Sequence, residues 1–483
     1  MSSIGGYLKR NKKRHLGELA ELLSIPSVST DPAHAADVVR AAQWMQARLQ
    51  RAGCSTAEIH RTKRHPIVYG EWVGAANRPT ILVYGHYDVQ PVDPLELWRT
   101  PPFEPTVRRG KIFARGASDD KGQVITHINA LEAHLQGGGC PLNVKFLIEG
   151  EEEIGSPNLE AFIKRNRKKL ACDAVVVSDT AMLAPDTPSI CYGLRGLTYA
   201  EINVRGTARD LHSGTFGGTV ANPANTLSRM LATLKDARGR IAVAGFYEKV
   251  RPIARAERRR IASLPHSDRE FARSFGAPRL DGESGYSTLE RIWCRPSLDV
   301  NGIWGGFSGE GAKTVIPAEA GAKVSMRLVP DQSDAEIFRK IKRHLTQVAP
   351  PSVQVSVRSL HGGDPWLTAP DHPVMAAGGR ALKRAFGREA LLVREGGSIP
   401  VVSTFDRLLK VPALLLGFGL HDDNLHAPNE KMELSNFYRG IETSAYLMEE
   451  LAADGTAEPP RRRSGPAKPA ARRARRGRVY SGK

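Results

Sequence analysis

Apolar positions along this chain follow two rhythms that alternate. Short β-branched runs, "ILVYGH" (81–86), "LNVKFLI" (142–148), "DAVVVS" (173–178) and "VPALLLGFG" (411–419), are of strand length and apolar on both faces. Between them, segments 35–52, 158–170, 372–386 and 434–452, and "VITHINALEAHL" (124–135), space their apolar residues at helical intervals. A shorter run, "KIFARGAS" (111–118), leads into "DDKGQ". Strands alternating with helices predict an α/β fold, a mixed and mostly parallel sheet covered by helices.

The middle of the chain reads differently. "GLTYAEINVRG" (196–206) alternates like a half-exposed strand, and "NPANTLSRMLATLKD" (222–236) like an amphipathic helix. Strand, helix and strand follow at 319–330, 334–349 and 352–360, which predicts a small α+β domain inserted into the larger one. Segment 250–295, with "RAERRRIA", reads as a basic helical excursion. The length of 483 residues exceeds the roughly 250–300 at which single cores stop growing, so two domains fit. The expected division is 1–192 and 364–456 for the larger domain, 193–363 for the insert, and 457–483 for a tail.

Composition narrows the class. With 41% hydrophobic and 25% charged residues, the chain matches ordinary soluble proteins. No run approaches the ~18–20 apolar residues of a membrane span. The basic N-terminus resembles an amphipathic helix, a transit peptide being the minor alternative; without an apolar h-region, no secretory signal is expected. Five scattered cysteines without CxxC spacing argue against a disulfide framework or a thiolate zinc site, and a reducing cytoplasm fits. Ten of the basic residues behind the net charge of +18 lie in 459–483, leaving +8 for the rest. That Pro, Ala, Gly and Arg-rich tail is expected to be disordered. It suits non-specific contact with nucleic acid or acidic surfaces, or equally a solvated tail without a partner.

Candidate chemistry sits where the runs end. His86 and Asp88 follow the first; Glu149, Glu151, Glu152 and Glu153 the second; Asp179 the third; His421, Asp422, Asp423 and His426 the last. Asp119 and Asp120 follow the short run. Open α/β sheets bind ligands outside the carboxyl ends of their strands, so these ends converge on one crevice. So many carboxylates repel one another unless cations neutralise them. Histidines and acids without cysteine suit two divalent ions, Zn²⁺ or Mn²⁺. The bland alternatives are a satisfied His-Asp pair and, for the acid run, a solvated helix start. His127 and His134, seven apart on a helix, read as packing residues.

The motifs "GHYDVQP", "ARGASDDKG", "EGEEEIGS", "SDT" and "DNLHAPNEK", in this order, resemble the dinuclear zinc peptidases that include carboxypeptidase G, acetylornithine deacetylase and the cytosolic non-specific dipeptidases. "LWRTPPFEP", "RDLHSGTFGG", "GAKTVIP" and "REGGSIPV" are worded like the non-specific dipeptidase/carnosinase branch, and the match runs from about 16 to 450. The resemblance implies a ferredoxin-like lid and dimerisation domain and two metal ions per subunit. His86 and Asp179 would hold one ion, Glu153 and His426 the other, with Asp119 bridging both; His421 competes with His426, but only His426 matches the motif.

The resemblance also implies that Asp88 supports His86, that Glu152 is the general base, and that the Asp119–Asp120 peptide is cis. His212 would reach the oxyanion of a partner subunit in a homodimer, the alternative being a simple turn cap. Arg327, Thr314 and Ser398, with the Gly397 backbone, would hold the substrate carboxylate. The implied activity is hydrolysis of dipeptides or small peptides by a water activated between the metals. An N-acyl amino acid deacylase or carbamoylase on the same metal core is the alternative. "DNLHAPNEK" departs from the Gly-Ala and Ser-Gln wording of eukaryotic dipeptidases, which bears on side-chain preference.

Overall fold

A computed structural model describes residues 4–454. Its larger sheet has the order Thr56–His60, Ile67–Trp72, Asn143–Glu149, Thr80–His86, Ala174–Val177, Ala413–Leu415, Ser189–Leu194 and Trp366–Leu367, with Leu391–Glu395 also pairing to Ser189–Leu194. Its centre is parallel: Thr80–His86 runs parallel to both neighbours, and Ala413–Leu415 parallel to Ala174–Val177. Continuous apolar runs fold this way because both faces are covered. Leu82, Val83 and Val176 are fully buried, each contributing about 1.5–3 kcal/mol. Helices Ala35–Ala52, Lys121–Gln136, Pro373–Phe386 and Leu434–Ala453 supply the cover.

A second, four-stranded antiparallel sheet has the order Ser297–Gly305, Glu319–Leu328, Gly196–Arg205, Gln354–Gly363. Helices Pro223–Ala232 and Asp334–Val348 bury Leu227, Met230, Ile337, Ile341 and Leu345 with it in a separate core. Ser297–Gly305 was not foreseen. Polar Asp299 and Asn301, two glycines and a register shift near Val300 hide its strand period, as an edge position allows.

The excursion is helical, at Arg255–Ala262, Asp268–Ser274 and Thr288–Cys294, the last opened by a Ser287–Glu290 capping box. It lies within the numbers assigned to the insert. Even so, Ile261, Leu264, Leu289 and Trp293 pack into the core of the larger sheet. The basic tail lies outside the described residues.

Candidate metal centre

Strand Thr80–His86 delivers His86 into the interior, where a Cβ at Gly85 would come within 2.6 Å of Asp120 Oδ2. His86 is fully buried. Its Nδ1 lies 3.0 Å from the Asp88 carbonyl, and its Nε2 lies 3.1 Å from Asp119 Oδ1 and 3.9 Å from Asp179 Oδ2. With the Nδ1 proton donated to that carbonyl, Nε2 keeps its lone pair for the carboxylate side. Asp88 therefore supports the ring chiefly through its main chain. Its carboxylate sits 3.4 Å from Nδ1 and accepts from the backbone N–H groups of Glu152 (3.2 Å) and Glu153 (3.1 Å). One residue thus orients the imidazole and the short turn Glu152–Ile154.

A second donor group adjoins the first. His426 Nε2 lies 2.9 Å from Asp119 Oδ2 and 3.4 Å from Glu153 Oε2, which also accepts from Gln90 at 2.7 Å. His426 stands in a left-handed backbone conformation (φ 58°), as do Asn424 and Asn429, so the loop doubles back sharply. Asp119 offers one oxygen to each imidazole. The donor atoms of His86, Asp119 and Asp179, and those of Asp119, Glu153 and His426, each lie within 4.8 Å of one another. The Asp119–Asp120 peptide bond is cis.

Burial, then Asp119 beside them, pushes Glu153 up to about 10 and Asp179 to about 6. Burial, with Asp179 and Asp119 nearby, holds Glu152 well above the ordinary carboxylate range. Asp119, despite its burial, is held well below that range by its bonds to His426 and His86. A crevice with this charge keeps its acids ionised only beside cations. An all-nitrogen-and-oxygen donor set fits two divalent ions of the zinc or manganese kind.

The acid run divides. Glu149 accepts from Tyr84 and Ser156, and Glu151 from Thr62, the His65 N–H and Asn158, so both are structural. Glu430 was missed. It accepts from Arg115 (2.8 Å) and from the N–H groups of Gly116, Ser118 and Asp119 (3.0, 2.9 and 3.1 Å), and so fixes the loop that carries Asp119. The final Glu of "HAPNE" was its only sequence signal. His127 bonds Ser178 and His134 the Ala445 carbonyl inside the core, while His421 belongs to neither donor group.

Of the residues expected to hold a carboxylate, Arg327 and Ser398 come together: Nη1 donates to Ser398 Oγ at 2.8 Å. Ser398 Oγ donates to the Arg195 carbonyl (2.6 Å), and Arg195 Nε donates to the Gly396 carbonyl (3.0 Å). Arg195, in "GLRG", gave no signal of this link. Gly397 is exposed, and a Cβ there would meet open space. Thr314 stands elsewhere, on a ribbon in which Val315–Ile316 pairs with Leu211–His212, and no hydrogen bond joins it to Arg327 among the described residues. His212 is exposed beside it and does cap a turn, accepting from the Gly214 N–H at Nδ1 (3.0 Å). That leaves the proton of a neutral ring on Nε2, pointing a donor away from the turn.

Residues 82–450 match the model of Peptidase family M20/M25/M40. The chain belongs to this family. It is 36% identical over 462 residues to the Cys-Gly metallodipeptidase dug1 of Schizosaccharomyces pombe, covering 92% of this chain and 97% of that one. Among solved structures, human carnosine dipeptidase 1 superimposes with a TM-score of 0.79 at 31% identity, covering 93% and 98% of the two chains. An M20 family metallo-carboxypeptidase from Sulfolobus solfataricus does so at 0.82 and 33%, covering 91% and 99%.

Proposed function

We propose that this protein is a metal-dependent dipeptidase that works as a homodimer. The observation that carries the reading is the pair of donor groups sharing Asp119, in a chain that also joins Arg327 to Ser398. His86, Asp119 and Asp179 would hold one ion, and Asp119, Glu153 and His426 the other. When bound, the ions supply Lewis acidity and lower the pKa of a water to near neutrality. Glu152, oriented by Asp88 and raised by burial, takes the proton and returns it to the leaving amine. Arg327, with Ser398 and the Gly397 backbone, binds the free carboxylate of the substrate, the task for which a guanidinium is shaped. Thr314 adds to the same grip from the partner subunit, alongside His212.

Support for the dimer comes from Ser297–Gly305, an edge strand among the described residues, where Val300 is 42%, Ile303 65% and Trp304 41% exposed. Apolar edges of this kind seek a partner strand. Two inserts pairing there would carry His212 toward the other subunit's crevice, where its Nε2 proton meets the developing oxyanion. Five free cysteines support a reducing, cytoplasmic setting, and no helix among the described residues is long and apolar enough to cross a membrane.

A panel of dipeptides, their C-terminal amides and N-acyl amino acids, assayed with Mn²⁺ and with Zn²⁺, tests the assignment. Free dipeptides should be cleaved at least tenfold faster than their amides. Preferential cleavage of N-acyl amino acids would favour the deacylase reading instead.

A further inference from the structure

Away from the metal centre, a cavity of about 320 Å³ lies where the excursion meets the edge of the larger sheet, among Tyr192, Ile253, Glu257, Arg260, Leu367 and Arg394. Most of its wall is apolar, and its polar groups are unevenly matched. Glu257 accepts from the Tyr192 hydroxyl at 2.5 Å and is paired with Arg394. Arg251, at the rim, is paired with Asp331. Arg260 has no carboxylate partner among the described residues, and its guanidinium lies 5.1 Å from the Tyr192 ring, as does that of Arg394. The Nε atoms of Arg260 and Arg394 are both buried without a hydrogen-bond partner among the described residues. Three guanidiniums against two carboxylates leave one uncompensated positive charge beside an aromatic face and aliphatic walls. Enclosing a guanidinium without an acidic partner is costly, and an anion in the cavity reduces that cost.

The strands that line the cavity run on into the proposed carboxylate grip. Three residues beyond Tyr192 stands Arg195, holding the Gly396 carbonyl at 3.0 Å. Four beyond Arg394 stands Ser398, accepting from Arg327. The excursion also backs this loop directly, since a Cβ on Gly396 would meet Ile292 Cγ2 at 2.8 Å. A group that draws Arg394 or Tyr192 into the cavity therefore shifts the stretch that positions Ser398.

We propose that this cavity is an accessory site for a small monocarboxylate with an apolar body, and that its occupancy is felt at the Arg327–Ser398 pair as a change in substrate affinity. One excess positive charge favours a monoanion over phosphate, and the apolar wall favours a body larger than acetate. The binding stands by itself, while the coupling rests on the reading of Arg327 and Ser398 as the substrate grip.

The test follows 4-fluorobenzoate by ¹⁹F NMR on the full chain loaded with metal, with benzamide as the neutral competitor and inorganic phosphate as the rival anion. Saturable binding is expected, weakened roughly tenfold or more by Arg260→Met, partly restored in Arg260→Lys, and retained in Arg327→Met. Benzamide should not compete. In the wild type, benzoate should change KM for a dipeptide severalfold with kcat unchanged, and Arg260→Met should remove that response. Binding that survives Arg260→Met but disappears in Arg327→Met would put the anion in the substrate grip and overturn the site. Tighter binding of phosphate would overturn the ligand class, and binding without a KM response would overturn the coupling. If no dipeptide is cleaved at all, the dipeptidase reading fails while the NMR result still decides the site.

Discussion

The metal centre and the His212 ribbon are built in opposite ways. In the first, His86, Asp88, Asp120 and Glu430 are buried within one chain, and main-chain groups fix all four side chains in place. In the second, exposed His212 ends a strand of two residues and exposed Thr314 precedes its equally short partner Val315–Ile316. A buried constellation that orients itself is complete when the chain folds. An exposed donor is free to meet a second surface. On the proposed reading, charge arrangement would belong to the fold and oxyanion contact to the assembly.

Asp119 is where the comparison should break hardest. Because it serves both donor groups, Asp119→Asn should reduce the content of both ions and abolish hydrolysis, as exhaustive chelation should. Metal analysis that finds one ion untouched would mean that Asp119 does not join the two groups. Next in size is Glu152→Gln, expected to cost ~10²–10⁴ in turnover with both ions retained. Loss of an ion would make Glu152 a ligand and move the base role to a neighbour.

His212→Ala should cost about 10²–10³ in rate with metal content intact. Mixed with Glu152→Gln, it should recover activity, because the heterodimer then contains one site built from intact halves; no recovery would return His212 to its own chain. The edge strand gives a complementary test. Ile303→Asp should shift the mass measured by light scattering from dimer to monomer. The monomer's rate should fall at least to that of His212→Ala, because the partner's Thr314 is lost with its His212. A monomer with full activity would remove the assembly from the mechanism.

The two regions were also unequally legible in the sequence. Long two-sided apolar runs exposed the parallel sheet, and their acid and imidazole endings exposed the crevice, because strand order in such sheets delivers its C-terminal ends to one place. His86, Asp119, Asp179 and the acid run stand out as strand-end acids and imidazoles, but only the family resemblance singles out Glu153 from Glu149 and Glu151, and His426 from His421. Glu430 and Arg195 do not, since they act through backbone N–H and carbonyl groups that any residue possesses. Nor could periodicity show Ser297–Gly305, an exposed edge strand with no alternating pattern to keep. The excursion's helices were visible, but their packing on the larger core depends on Ile261, Leu289 and Trp293 meeting residues far away in the chain.

The smallest expected effect concerns acid. The larger core buries His127 and His15, while His212, His266 and His361 in the insert's segment are exposed. Burial pushes His127 down to about 3; burial, with Arg14 beside it, pushes His15 down to about 4. In the unfolded chain both imidazoles titrate near their ordinary value of about 6.5. Below that pH the unfolded state binds protons that the folded state refuses. The stability these groups contribute is therefore complete above about pH 6.5 and falls as the pH drops toward their folded values. From pH 7.5 to 5.5 the loss is about 1 kcal/mol for each buried histidine. His127→Gln can keep a bond to Ser178 and has no proton to gain, so it should flatten the fall in unfolding free energy between these pH values by about that amount. Urea titrations at the two pH values measure the difference. Parallel lines for the wild type and His127→Gln would show that this buried imidazole is charged in the folded protein, and the electrostatic contrast between the two cores would then be lost.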